Sequence, residues 1–126
     1  FNNKRILGEE HPDIYMQYYI TLMFKENSHD SIESLKQYLE KNYSNLPGEI
    51  YTYYSWKLIN YLVLQVNSGK IDYRAEALDV IKKLDRNERL LKNNILLPNE
   101  FKTCTDFAFA EKDLKWAEYF IYKYIY

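Results

Sequence analysis

Residues 12–43 read PDIYMQYYITLMFKENSHDSIESLKQYLEKNY, and two hydrophobic patterns meet in this stretch on either side of a break. The first half predicts a helix from about Pro12 to Asn27. Ile14, Tyr18 and Leu22 recur every four residues, as do Tyr15, Tyr19 and Met23, while Met16, Ile20 and Phe24 form a third row. Apolar groups then cover most of the circumference, so this helix is expected to be buried on more than one side. Pro12 suits a first turn and Asp13 lies near the positive helix end. Ser28 and His29 break the pattern, and Asp30 followed by Glu33 has the spacing of a capping box. The second helix, about Asp30 to Tyr43, is amphipathic. Ile32, Leu35, Tyr38 and Leu39 fall on one stripe, with Glu33, Lys36, Gln37, Glu40 and Lys41 on the solvated side.

The same alternation recurs downstream. After a loop at Ser44 to Gly48, where Pro47 disfavours helical geometry at Leu46, a long apolar helix runs from about Glu49 to Asn67. Its rows are Tyr54, Leu58, Tyr61, Leu62 and Gln65, with Trp56, Ile59 and Val63 beside them. Gly69 supplies the stop and Asp72 the cap of a fourth helix, which carries Ala75, Leu78, Ile81 and Leu84 inside and Arg74, Glu76, Asp79, Lys82 and Lys83 outside. Asp85 to Leu97 is expected to be a frayed helix end and an extended connector pinned by its leucines, because Asn87, Asn93 and Asn94 weaken a helix. Pro98 and Asn99 open a fifth helix with the stripe Phe101, Cys104, Phe107 and Ala108. After a tight turn at Lys112-Asp113, the last helix carries Leu114, Ala117, Ile121 and Tyr124, with Trp116 and Phe120 adjoining.

Composition agrees with an all-α chain. Among 126 residues, 47% are hydrophobic and only 3 Gly and 3 Pro are present, too few turn formers for a sandwich or barrel. Seventeen basic against 18 acidic residues give a net charge of −1, so no global field gathers phosphates or anionic lipid, and nucleic acid is not the expected partner. No apolar run approaches the roughly 20 residues that span a bilayer, and Phe1-Asn2-Asn3-Lys4-Arg5 is no signal peptide, so no membrane partner is expected. The single Cys104 cannot form an internal disulfide, which points to a reducing, cytoplasmic setting.

Three units thus share one grammar: an aromatic-rich helix, a short polar turn with an acidic cap, then an amphipathic helix. In the third unit Phe101, Cys104, Thr105, Ala108, Lys112, Leu114, Ala117, Ile121 and Tyr124 lie at the signature spacing of a tetratricopeptide repeat. In the first, Tyr15, Tyr18, Tyr19, Leu22, Ser31, Leu35 and Tyr38 take equivalent places, while the second is longer between Trp56 and Ala77. The chain resembles a degenerate tetratricopeptide-like protein over nearly its whole length, in spacing more than in identity. That resemblance implies one domain over 1–126, with hairpins at about 12–46, 48–92 and 98–126, three antiparallel pairs stacked as a fragment of a right-handed α-solenoid. Each such hairpin leaves an apolar face for its neighbour to cover. Trp116, Phe120, Tyr124 and Tyr126 are expected to form an uncovered aromatic surface, met by further repeats in a longer parent chain or by self-association through the C-terminal helix.

Chemical motifs are sparse. His29 between Ser28 and Asp30 is triad-like only in sequence, since adjacent residues cannot bring a nucleophile, base and carboxylate into mutual reach. Glu9, Glu10 and His11 lack the second histidine of a metal site, and Cys104 on an apolar stripe is expected as core filling. Lys82, Lys83, Arg86, Arg89 and Lys92 are interleaved with Asp79, Asp85 and Glu88, as on a solvated face. No catalytic, cofactor-binding or metal residue is expected, and no cofactor. Tyrosine, at 14 residues, is the one excess, because it joins a large apolar body to a hydroxyl. Most are expected in the core, with Tyr15, Tyr19, Tyr54 and Tyr61 as candidates to line a groove of inner helices. The expected function is a non-catalytic scaffold that binds a protein or peptide in that groove. The alternative is an RNA-binding array resembling pentatricopeptide proteins.

Overall fold

The computed structural model describes residues 12–26 and 29–125. Residues 1–11, among them Glu9, Glu10 and His11, lie outside that range with Asn27, Ser28 and Tyr126, and so do the side chains of Pro12, Asp13, Tyr15 and Glu26. The regular structure among the described residues is helical, in the order α1 (Pro12–Glu26), α2 (His29–Asn42), a 3-10 turn (Tyr43–Asn45), α3 (Gly48–Asn67), α4 (Tyr73–Arg86), α5 (Pro98–Ala110) and α6 (Leu114–Ile125). The chain divides into two compact units, Phe1–Tyr61 and Leu62–Tyr126, so the boundary falls inside α3.

In the first unit α1 packs on α2, with the rings of Tyr19 and Tyr38 6.2 Å apart. None of the three apolar rows expected on α1 is the buried one: the buried residues are Met16 and Ile20 of the third row and Met23 of the second, whereas Ile14 and Phe24 are exposed. The i, i+4, i+7 spacing of the buried residues gives α1 one covered stripe, not the all-round burial that composition alone implied. Facing it on α2 are Ile32, Leu35 and Leu39, all buried. The helix begins at His29, so Asp30 sits in the first turn, where its charge still favours the positive end, and not at the cap. From α1 to α3, the Gln17 amide donates to the Tyr54 hydroxyl across 37 residues at 2.8 Å, and Phe24 meets the Tyr61 ring edge-on at 4.9 Å with the same separation. A constant offset is what two helices running in one direction produce. The carbonyl of Pro47 accepts the amides of Ile50 and Tyr51, both at 3.0 Å, which starts α3 one residue ahead of the expected Glu49.

In the second unit α4 packs on α5 and α5 on α6. Three helices there end alike, in a Schellman turn. Gly69 N–H bonds to the Val66 carbonyl and Lys70 N–H to Gln65; Glu88 and Arg89 bond to Asp85 and Leu84; Lys112 and Asp113 bond to Phe109 and Ala108. The left-handed residues are Gly69 (φ 105), Glu88 (φ 55) and Lys112 (φ 59), so only the first carries the glycine that marks such a stop in sequence.

Asp72 occupies the cap position of α4 but makes no side-chain cap bond, a correction to the expected role. The 87–97 connector is also not simply extended. Asn93 and Asn94 both take positive φ (53 and 63), and Lys92 and Ile95 exchange backbone bonds of 3.1 and 2.9 Å around them. Asparagine tolerates this geometry, so the residues that weaken a helix here build a two-residue turn instead. Of the connector's apolar residues Leu90 is buried, while Ile95 and Leu97 are exposed. Glu100 accepts the Leu97 amide at 3.0 Å and pairs with Lys92 at 2.6 Å, tying the connector to the start of α5. Asp113 caps α6 as expected, accepting the Trp116 amide at 3.3 Å, and it also pairs with Lys82.

Candidate partner-binding surface

Tyr54 and Tyr61 are each 2% exposed, so both are packing residues that present almost nothing to a partner. The Tyr54 hydroxyl is held by Gln17 and the Tyr61 ring by Phe24. Tyr19 is half-buried against Tyr18 and Tyr38. The side chain of Tyr15 is outside the described residues. Of the three whose side chains are described, two are therefore core residues and one is partly open, because the periodicity that selected them is also the periodicity of the core.

A different concavity exists in the second unit. The last turns of α3 (Val63, Val66, Asn67), Arg74 of α4, and Thr103, Asp106, Phe107 and Ala110 of α5 line a cavity of ≈ 220 Å³. Its valines, phenylalanine and alanine make an apolar wall, and its polar groups stand among them. That combination holds an apolar side chain and orients it through a few hydrogen bonds. The Arg74 Nε is buried without a hydrogen-bond partner and forms an ion pair with Glu111, 3.7 Å from its carboxylate oxygen. Asp106 is drawn to Lys102 at 2.6 Å. Leu64 lies one turn before Asn67 and Phe109 one turn after Asp106, and they are 56% and 51% exposed.

Exposed apolar side chains are unevenly shared among the helices. Among the described residues α1, α3 and α5 expose Ile14, Phe24, Tyr53, Leu64 and Phe109, whereas α2 and α4 expose no large apolar side chain. The last helix, α6, exposes Leu114, Tyr119, Tyr122 and Ile125. Phe120, expected on the uncovered aromatic surface, is fully buried between Trp116 at 5.0 Å, Phe101 at 5.4 Å and Tyr124 at 4.7 Å. Trp116 and Tyr124 are only half-exposed.

The groups with chemical potential are held in structural roles. Cys104 is buried, and burial, reinforced by the negative charge of Glu100 and Asp85, pushes its thiol above the ordinary range. A thiol held protonated is no nucleophile. His29 lies in the first turn of α2, 3.7 Å from Glu33. In the basic cluster Lys82 pairs with Asp113, Lys83 with Asp79 at 3.2 Å and Lys92 with Glu100, so three of its charges already face carboxylates.

Asp85, read in sequence only as diluting that cluster, is 3% exposed and accepts three side-chain donors: Tyr119 at 2.8 Å, Lys123 at 2.9 Å and Tyr124 at 2.5 Å. Lys123 also donates to Glu88 at 2.9 Å. Burial first and then the bond to Asp85 push the Tyr124 hydroxyl up, and the bond to Asp85 raises Tyr119. For Lys123, burial pulls the ammonium down, but its bonds to Glu88, Asp85 and Tyr119 outweigh that and hold it protonated. This network clasps α6 to α4. It was hidden in sequence because its donors lie on a distant helix, Tyr119 being 34 residues from Asp85.

No helix among the described residues is long and apolar enough to cross a membrane. Comparisons with protein-family models, with curated proteins and with solved structures found no match.

Proposed function

We propose that the chain is a non-catalytic scaffold of tetratricopeptide-like helical hairpins, and that the inner helices bind a protein or peptide. Support for the hairpin reading comes from the similar offsets within each unit, equal for two contacts in the first and spread from 31 to 39 residues in the second. Gln17–Tyr54 and Phe24–Tyr61 share a separation of 37 residues. Asp85–Tyr119 and the Lys82 ammonium over the Trp116 ring share one of 34. Stacked two-helix repeats of about 34 residues place each helix beside its counterpart in the next repeat, running the same way. The uneven exposure of apolar side chains adds to this for the first two hairpins, whose first helices α1 and α3 carry them while the second helices α2 and α4 do not; in the third, α6 exposes more of them than α5.

The observation that carries the binding role is the ≈ 220 Å³ cavity between the end of α3 and α5, with its apolar wall and buried Arg74 Nε. One apolar side chain of a peptide fills it. Of the tyrosines expected as anchors, Tyr19 has part of its surface open. A reducing, cytoplasmic setting fits the free Cys104.

Selection of peptides from a display library against the 126-residue chain tests this reading. Selected peptides are expected to lose at least about tenfold in affinity to Ala110→Trp, which fills the cavity from an exposed position, with melting unchanged. Equal affinity for wild type, Ala110→Trp and Phe109→Ser contradicts it. Binding of single-stranded RNA that weakens steeply with salt points to the nucleic-acid alternative instead.

A further inference from the structure

α6 repeats the register of α4 but is held in place by different forces. With Ala77 of α4 laid on Ala117 of α6, Val80 falls on Phe120, Ile81 on Ile121, Leu84 on Tyr124 and Asp85 on Ile125, so the inward rows match. On α4, Ala77, Leu78, Val80, Ile81, Leu84 and Asp85 are all buried, whereas on α6 only Ala117 and Phe120 are. What joins α6 to α4 is instead polar. The Asp85 carboxylate accepts Tyr119, Lys123 and Tyr124, and Glu88 accepts Lys123. Lys82 pairs with Asp113, and its ammonium lies 5.8 Å from the centre of the Trp116 ring.

A helix attached in this way opens at small cost and as a whole. Each hydrogen bond of the clasp is exchanged for one to water when it parts, so its net contribution is modest. Asp85 supplies the cooperativity: at 3% exposure it cannot lose one donor to the solvent and keep the others without being left short of hydrogen bonds. The apolar seat is small, chiefly Ala117 and the Phe120 ring stacked on Phe101 at 5.4 Å. A free helix of 12 residues is marginal in water, so α6 off its seat does not keep its shape.

We propose that α6 is a latched strap, which releases from α4 and α5 as one unit while those two helices stay folded, and that Lys123 is the latch. Lys123 bridges both carboxylates, Asp85 and Glu88, and also donates to the Tyr119 hydroxyl at 3.3 Å. Its ammonium is the cation paired with the buried Asp85, so losing that charge leaves a carboxylate inside without a counter-ion. Lys123 is itself 26% exposed, within reach of the solvent. Release opens to water the Asp85 carboxylate and the face of Phe101 that Phe120 covers. The strap thereby controls access to an acidic and aromatic surface.

Hydrogen exchange of the backbone amides of the 126-residue chain, followed across low urea concentrations, tests the proposal. The amides of α6 should be at least about tenfold less protected than the slowest of α4 and α5, with a shallower dependence on urea because little apolar surface is exposed. Lys123→Met should lower the protection of α6 by about a further tenfold. Lys115→Met, the same change at an exposed position of α6, should leave it as it is. One protection level and one urea slope shared by α4, α5 and α6 overturns the proposal, and it is read on the wild-type chain even if Lys123→Met fails to fold. So does protection in α6 that declines residue by residue from Ile125, or an equal response to the two substitutions.

Discussion

α4 and α6 have matching inward rows of small and large apolar residues, yet they differ on the face beside those rows. On α4 that face holds Asp85, buried and saturated by Tyr119, Lys123 and Tyr124; on α6 the matching position is Ile125, largely exposed. A buried carboxylate is tolerated only where neighbours supply its hydrogen bonds, and the segment 111–124 supplies them to α4. In this chain, then, the outward chemistry of a helix answers to the residues downstream that pack on it, while its inward chemistry is repeated.

Removal of the clasp should have the greatest effect. Asp85→Ala leaves Lys123 and two tyrosine hydroxyls without their common acceptor and should cost about 3 kcal/mol, read from the urea midpoint. Ile125→Ala, at the matching place on α6, should stay within about 0.5 kcal/mol. Comparable losses at both sites would erase the distinction between the two helices.

Much of the architecture was legible in the sequence, and the exceptions share a cause. The helix limits set by Pro47, Gly69, Pro98 and Asp113 were readable because each residue acts on its own backbone. The left-handed Glu88 and Lys112 were not, since such residues take that conformation only when surrounding bonds hold them there, and Asn93-Asn94 were read only as weakening a helix although asparagine also suits a turn. Of the tyrosines expected at the candidate site, Tyr54 and Tyr61 are inside, while α1, α3 and α5 carry the exposed apolar groups Ile14, Phe24, Tyr53, Leu64 and Phe109. A tyrosine at helical spacing has the same signature whether its ring packs a core or faces a groove, and only the partners from distant helices decide. Asp85 escaped notice for the same reason, because nothing within its own helix accounts for its burial.

A more modest effect concerns pH. The hydroxyls of Tyr124 and Tyr119 are raised above their ordinary range, chiefly by burial for the first and by Asp85 for the second. The folded chain then keeps protons that the unfolded chain releases, so this stabilisation is intact below the unfolded value of about 10 and declines as pH rises through the folded values. Tyr124→Phe should flatten the alkaline decline in melting temperature, leaving the part due to Tyr119. An unchanged alkaline slope would detach Tyr124 from the clasp.

The slightest change is expected where α3 and α5 end. Lys112 takes at the end of α5 the conformation that Gly69 takes after α3, and a non-glycine residue there costs about 1 kcal/mol. Lys112→Gly should therefore stabilise by about that amount, and Gly69→Ala should destabilise similarly, both seen in thermal melts. Destabilisation by Lys112→Gly would mean that its side chain contributes more than its backbone costs.

Both the matched faces of α4 and α6 and the hairpin reading require that, within each unit, helices two apart along the chain lie side by side in the same direction. Nuclear Overhauser contacts between side chains of the labelled chain measure this. Cross-peaks are predicted to join Phe24 to Tyr61, Gln17 to Tyr54 and Lys82 to Trp116. Cross-peaks joining Phe24 to Tyr54 and Gln17 to Tyr61 would mean that α1 and α3 run in opposite directions, and would contradict that arrangement.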